Sequence, residues 1–261
     1  MTNLDTLLRA LLRERSDGTE YAIPQTLADK RRLLRMLMNM RKPAPIKENL
    51  LSIQDQELQN QNDEKGIISP SSIPSSPMYP PLRLWQGDIT RLAVDAIVNA
   101  ANSQLLGCFL PLHNCIDNAI HSSAGMQLRE ECAKLMREQT YDEPSGQAKI
   151  TPGYNLPAKY VIHTVGPIVK GDGLTMQDRY LLASCYKSCL AIANDHGLTS
   201  IAFCCISTGV FCFPQREAAQ IAVDSVLAYF AQKTANSIKT VIFDVFKDSD
   251  FEIYGRLLGY R

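Results

Sequence analysis

Apolar residues recur along this chain in two rhythms, and the change from one to the other falls near residue 80. In the first part the spacing is helical. Leu4, Leu7, Leu8, Leu11 and Leu12 share a stripe within residues 3–15, and Leu27, Leu33, Leu34, Leu37 and Met38 share another within 26–40. Pro24 stands just before the second stripe, and Pro43 and Pro45 interrupt the pattern after it. A weaker helix is expected over 46–60. These stripes read as packing surfaces, against one another or as a lid on the next domain. From Leu82 onwards short apolar runs alternate with helical periods. Strands are expected at 82–86, 96–99, 160–164, 200–206 and 240–245, and helices at 117–137, 178–195, 215–232 and 249–258. Asp195-His196-Gly197 closes one helix with a glycine, as a C′ residue should. The alternation predicts an α/β sandwich with a largely parallel central sheet.

Between the two rhythms, residues 59–81 run QNQNDEKG and then SPSSIPSSPMYPP. Serine and proline at this density bury too little apolar surface to fold alone, so a linker or an extended strap is expected. The chain therefore divides into an N-terminal helical extension with a Ser/Pro linker, 1–78, and an α/β domain, 79–261. Hydrophobic residues make up 45% of the 261, enough for a sizeable core. The 27 basic and 27 acidic residues cancel, so no global field points to nucleic acid or an anionic membrane. No apolar run approaches the roughly 20 residues that span a bilayer. The first residues lack the basic region and cleavage site of a secretory signal. With that context, eight cysteines read as reduced thiols or metal ligands, and a cytoplasmic protein is expected.

The chemistry is concentrated between Trp85 and Gly125. An apolar strand there leads into a polar loop that carries Asn99, Asn102, Cys108, His113, Cys115 and Asp117 before a helix begins. Such a loop, at the C-terminal end of a strand and beside a helix N-terminus, suits a polar ligand. Cys108, His113 and Cys115 are donors that zinc favours, and Pro111 keeps the segment non-helical so that it can wrap back. Three ligands fit a catalytic zinc, which keeps an open position, better than a closed structural site, which needs four. Two alternatives stay open: buried cysteines with a hydrogen-bonded histidine, or a structural site completed by Asp117, His121, Cys132 or Cys212. Cys185, Cys189, Cys204 and Cys205 read as small core residues. Asp88, after Gly87, could accept from an exocyclic amino group, although a Gly-Asp pair is also a common turn. Asn99 and Asn102 offer donor and acceptor to sugar hydroxyls. Ser207-Thr208-Gly209-Val210-Phe211 follows a buried strand, and its successive amides suit an anion. Phe213 offers an apolar face to a ribose.

With these residues in place the chain resembles the macrodomain family. The resemblance is carried by GDIT (87–90), DAIVNAAN (95–102), CIDNAIHSSAG (115–125), GQAKITPGYNLPAKYVIHTVGP (146–167) and ISTGVFCFP (206–214), about 130 residues in order. It implies a three-layer α/β/α sandwich that binds ADP-ribose, and an enzyme of the MacroD-like kind that removes mono-ADP-ribose from proteins. Where that kind carries a glycine run, this chain has GCFLPLHNCID. That variation resembles the zinc-dependent branch, which also carries an N-terminal helical extension. By the same resemblance Asp88 and Ile89 match adenine contacts, and Asn102 a distal-ribose contact with a catalytic part. Asp117 matches the catalytic carboxylate, Cys115, Ile116 and Asp117 the helix start beneath the diphosphate, and Ser207 to Phe211 the diphosphate loop. The implied cofactor is Zn2+, held by Cys108, His113 and Cys115. The implied partner is a mono-ADP-ribosylated protein, of which a lipoyl-carrier protein like the glycine-cleavage H protein, modified by a sirtuin-type transferase, is one form. Whether zinc orients ribose hydroxyls or activates water stays open at this level, as does a reader module that binds ADP-ribose over a structural zinc without turnover.

Overall fold

The apolar runs beyond residue 80 become strands because each is flanked on both faces by a helical layer. The computed structural model describes residues 2–15, 21–171, 173–232 and 235–260. Its strands are β1 (Leu82–Gln86), β2 (Ala96–Ala100), β3 (Ala148–Pro152), β4 (Tyr160–Thr164), β5 (Ser200–Phe203) and β6 (Thr240–Val245). They form one sheet in the order β1-β6-β5-β2-β4-β3, parallel throughout except that β3 runs antiparallel to β4. Helices α1 (Asn3–Arg13), α2 (Leu27–Met40) and α3 (Glu48–Lys65) precede the sheet. Helices α4 (Ile116–Ala124), α5 (Met126–Gln139), α6 (Met176–Asp195), α7 (Gln215–Gln232) and α8 (Asp248–Leu258) cover it. No helix among the described residues is long and apolar enough to cross a membrane.

The alternation of side chains along the strands separates the two faces. Phe203 of β5 meets Tyr186 of α6 at 4.9 Å between ring centroids, and Phe243 of β6 meets Tyr254 of α8 at 5.1 Å, so α6 and α8 share a face. Asn99 of β2 and His163 of β4 stand in register and point the other way, towards Asp117 of α4 and Cys132 of α5. The architecture is the three-layer α/β/α sandwich with a mixed, mostly parallel sheet, preceded by helices. Cys185, Cys189 and Cys204 are buried in its core, and Cys205 is half-buried.

Three elements depart from the pattern along the chain. The helix expected over 117–137 is two helices, α4 and α5, because Gly125 between them has φ +100°, a conformation that side-chain-bearing residues avoid. The strand expected over 200–206 ends at Phe203, where the chain turns into the 207–213 loop. β3 has no counterpart among the expected strands. It is an edge strand with mostly half-buried positions, and the short alternation in AKITP buries the polar Thr151 rather than Ala148 or Ile150.

The N-terminal leucines build their own core. Leu4, Leu7, Leu8 and Leu11 of α1 pack with Leu33, Leu34, Leu37 and Met38 of α2 and Leu50 and Leu58 of α3, joined from the α/β part by Met126. Each such burial is worth roughly 1.5–3 kcal/mol. The third helix outruns its expected end and includes all of the QNQNDEK segment. The Ser/Pro stretch after it is an extended strap held at several points. Ile68 exchanges backbone hydrogen bonds with the 91–93 segment, Ile73 is buried in the main core, and Ser76 donates to the carbonyl of Leu258 at 2.6 Å.

Candidate active site

The C-terminal ends of β1, β2, β4, β5 and β6 share one edge of the sheet, where a parallel arrangement gathers ligand-binding loops. The longest runs from β2 to α4. Its backbone enters the left-handed region at Leu105 (φ 57°), Gly107 (φ 77°) and Leu112 (φ 58°). A leucine so placed costs on the order of 1–3 kcal/mol, which surrounding contacts must offset. At Gly107 the contact is direct: an added Cβ would lie 2.8 Å from Cγ of His121, so the loop rests on that ring. Asn102 fastens the turn, donating through Nδ2 to the carbonyl of Gly107 (3.2 Å) and accepting through Oδ1 from the amide of Gln104 (3.0 Å).

Folding back in this way brings Cys108, His113 and Cys115 together. The Cys108 Sγ lies 3.6 Å from His113 Nδ1, and the three ligand atoms all fall within 4.8 Å of one another. Ligands at about 2.3 and 2.05 Å on a tetrahedral zinc stand about 3.6 Å apart, so the donor set and its spacing fit that ion. All three residues are half-buried. Cys115 is also the N-cap of α4, its Sγ accepting from the Asn118 amide at 3.4 Å. Burial pushes its thiol up to about 11, and the hydrogen bond from Asn118 opposes that.

Asp117 occupies the first turn of the same helix and is buried. Oδ1 accepts from Asn99 Nδ2 at 2.8 Å and Oδ2 from Asn102 Nδ2 at 3.3 Å. Burial pushes its carboxyl up to about 6, against the hydrogen bond from Asn99, the charge of Arg129 and the hydrogen bond from Asn102. Asn99 itself is fully buried, so the expectation that it meets the ligand does not fit its place. Its amide is committed to Asp117 and to His163 Nδ1 at 3.2 Å, and it acts by orienting the carboxylate.

Behind Asp117 lies a second Cys/His group, His121, Cys132 and His163, all buried. Its chemistry differs from that of the loop triad. With Asn99 donating to Nδ1, His163 carries its proton on Nε2 and donates to Thr151 Oγ1 at 3.0 Å, which leaves that nitrogen no lone pair for a metal. Burial holds His163 neutral, down to about 3, and holds His121 well below its ordinary value, aided by the positive charge of Arg129. His121 Nε2 stands 3.5 Å from Asp117 Oδ1 without a hydrogen bond of good geometry. The group is a hydrogen-bonded support running Thr151–His163–Asn99–Asp117.

The 207–213 loop leaves β5 with Ser207 (φ 65°) and Cys212 (φ 58°) in the left-handed region. It is tied by Phe213 N to Ser207 O and Cys212 N to Gly209 O. Among the described residues the amides of Gly209, Val210 and Phe211 meet no protein acceptor, which leaves them for an anion. Gly209 and Val210 are exposed, Thr208 and Phe211 half-buried and Ser207 buried. Phe213 is only 2% exposed and packs in the core, so the expected ribose contact is corrected: its ring anchors the loop from below. At the β1 end, Asp88 Oδ1 accepts from Thr90 N and Oγ1, while Oδ2 lies 3.7 Å from Lys65 Nζ. Ile89 is buried and Ile116 half-buried.

Comparison with known proteins identifies the fold's family. The Macro domain family model matches residues 98–222. A protein-ADP-ribose hydrolase of Staphylococcus aureus (strain MSSA476) is 46% identical over 96% of this chain and 93% of its own length. The chain belongs to the macrodomain family. Among solved structures, the Oceanobacillus iheyensis macrodomain with ADP is 35% identical, with a TM-score of 0.60 over 68% of this chain and 90% of its own. The Trypanosoma brucei macrodomain in complex with ADP-ribose is 26% identical, with a TM-score of 0.67 over 92% of this chain and all (100%) of its own.

Two features of this macrodomain's site are not apparent from the sequence pattern. Phe246 directly follows β6, beside the Gly87-Asp88 turn whose amide bonds to Val245, and its side chain is 81% exposed. The available signal is a phenylalanine at a strand end on the ligand-binding edge. Arg129 is the other: an arginine on an apparent helix surface that is 5% exposed and bonded to the loop of Cys108, His113 and Cys115. Nothing in its local spacing distinguishes it from a solvated side chain.

Proposed function

We propose that this macrodomain is a zinc-dependent hydrolase that releases ADP-ribose from mono-ADP-ribosylated protein side chains. The reading is carried by one juxtaposition: a zinc-compatible triad ends at the N-cap of α4, and the buried carboxylate of Asp117 stands two residues further on. The names of the relatives support the hydrolase, and the donor set supports the metal. ADP-ribose would lie along the cleft with its adenine beside Asp88 and the Phe246 ring. Its diphosphate would rest on the amides of Gly209 to Phe211 and the start of α4, where the helix dipole favours negative charge. The distal ribose then reaches the loop of Asn102 and the triad.

Hydrolysis adds water across the bond between the anomeric carbon and the protein side chain. The hydroxyl stays on the ribose, and the side chain leaves with the proton. When bound by Cys108, His113 and Cys115, zinc would supply Lewis acidity at the ribose. Asp117 holds the attacking water and takes its proton, and Asn99 and Asn102 fix the carboxylate's direction. A mono-ADP-ribosylated lipoyl-carrier protein is the substrate the family resemblance suggests. The test is release of ADP-ribose from modified protein, with and without chelator, and with zinc measured on the same samples. Turnover lost on chelation and restored by zinc is expected. Zinc-bound protein that binds ADP-ribose without releasing it from protein would make the chain a reader instead.

A further inference from the structure

The metal-ligand loop is held in shape by residues outside it: Asn118 of α4 donates to the carbonyl of Leu110 (3.0 Å), Arg129 of α5 reaches it from beneath, and two more come from the N-terminal extension. Arg35 of α2 donates through Nη2 to the carbonyl of His113 (3.2 Å) and through Nη2 and Nε to Asn118 Oδ1 (2.9 and 3.2 Å). Asn39, also of α2 and 1% exposed, accepts from the amide of Leu112 at 3.0 Å and donates to Ser122 Oγ at 2.9 Å. Leu112 is one of the left-handed positions, so Asn39 satisfies the amide of a strained residue directly beside a ligand.

Arg129 of α5 completes the arrangement from beneath. Its guanidinium donates to the loop carbonyls of Leu106 (2.7 Å) and Cys108 (3.5 Å). It also donates to the carbonyls of Met38 (2.7 Å), Asn39 (2.9 Å) and Arg41 (2.6 Å) at the end of α2. The Phe109 ring lies 4.4 Å from its Cζ. A helix end exposes unpaired carbonyls and attracts a cation, and the last turn of α2 carries no basic residue of its own. One arginine therefore satisfies the extension's helix end and the ligand loop together.

We infer that the extension is a built-in clamp, with Arg35, Asn39 and Arg129 as positioning residues that preset the Cys108–His113–Cys115 loop for its metal. The inference rests on the proposed zinc reading for its metal readout, and on the hydrogen bonds alone for its loop-ordering readout. A preset loop spends less binding free energy on ordering, so it binds metal more tightly and keeps the site registered on Asp117.

The test uses the full chain with Arg35→Ala, Asn39→Ala and Arg129→Met, and Arg35→Lys as a conservative partner. Zinc affinity is read by chelator competition, amide exchange over residues 105–114 in metal-free protein, and melting temperature as control. The expected result is a 10- to 100-fold loss of zinc affinity, the range typical when support around metal ligands is removed. Loop exchange should rise at least about tenfold while the sheet amides stay protected, and Arg35→Lys should be intermediate because it keeps charge but not the fork. Should Arg129→Met fail to fold, the half-buried Arg35 and the neutral Asn39 still decide the matter. Unchanged exchange and affinity in both overturns the clamp, as does faster exchange spread evenly over the sheet, which would mean lost stability alone. A wild-type chain that binds no zinc defeats the proposed function instead, and the clamp then stands or falls on loop exchange in the same variants.

Discussion

Two groups built from cysteine and histidine stand close to Asp117, and their fates differ. Cys108, His113 and Cys115 sit on a half-buried loop whose ligand atoms converge. His121, Cys132 and His163 converge as closely but deep in the core, where His163 spends both ring nitrogens on Asn99 and Thr151. Composition and distance alone would rank them equally. The difference lies in His163: a ligand needs a free lone pair, and both of its ring nitrogens are already spent on support. The loop triad has the means to hold a metal, and the core triad has the means to hold Asp117.

Replacing one member of each group separates them most sharply. Cys115→Ala should release the metal and abolish turnover, because two remaining donors bind zinc too weakly. Metal analysis and single-turnover release of ADP-ribose check this, and full activity in metal-free Cys115→Ala would undo the assignment. Asp117→Asn, which lies between the groups, should keep metal and ADP-ribose binding and lower the rate roughly 100-fold or more, as loss of a general base does. Within the core group, His163→Phe should keep the metal yet leave the Asn99 amide and the Thr151 hydroxyl unpaired. Each unpaired buried group costs about 1–3 kcal/mol, so denaturant melts should show a loss of about 2–6 kcal/mol. Turnover should fall about tenfold as Asp117 loses its fixed direction. Metal lost from His163→Phe and retained in Cys115→Ala would reverse the comparison.

The contrast also explains which features are legible in the sequence. Strands β2, β4, β5 and β6 are readable because burial on both faces selects largely apolar runs, and the edge strand β1 because Leu82 and Leu84 alternate with less buried residues. β3 is not, because its alternation is brief and the position it buries is the polar Thr151, while Ala148 and Ile150 stay half-buried. The loop triad is readable because its donors crowd within eight positions, from Cys108 to Cys115. Thr151, Arg129 and Arg35 are not, because each acts on single atoms far away along the chain, Arg35 on the carbonyl of His113 and Arg129 on that of Leu106. Periodicity reports which face is buried, and it carries no record of which backbone carbonyl a buried guanidinium will reach. Asn99 and Phe213 show the same limit from the other side. Both stand in motifs that suggest ligand contact, and both are turned inward.

The smallest expected effect on turnover comes from a carboxylate that holds the fold rather than the site, and it sharpens the contrast with Asp117. Asp95 precedes β2 and joins it to the neighbouring strand. It accepts from the amides of Thr199 (2.8 Å) and Ser200 (3.1 Å) and from Thr199 Oγ1 (2.7 Å), and it pairs with Lys159 at 2.7 Å. Burial alone would raise its carboxyl, but the hydrogen bonds from Lys159 and Thr199 and the lysine's charge hold it well below the usual carboxylate range. A depressed value means that the folded state favours the ionised form. Its contribution to stability is thus fully present above the unfolded value near 4 and is lost as the pH falls below that. Asp95→Asn should therefore lower stability by about 1–3 kcal/mol at pH 7 while leaving metal content and turnover near wild type. The gap between the two proteins should stay constant down to about pH 5 and narrow below about pH 4, followed by urea melts. Asp117 has the opposite sign: burial raises it to about 6, so in metal-free protein its charge opposes folding above that pH, and protonation relieves the cost as the pH falls through it. Urea melts of chelated Asp117→Asn should accordingly show no stability loss at pH 8 of the kind Asp95→Asn shows. Equal losses for the two variants at that pH would mean that Asp117 is held as a structural carboxylate, and the distinction between support and site would fail at its central residue.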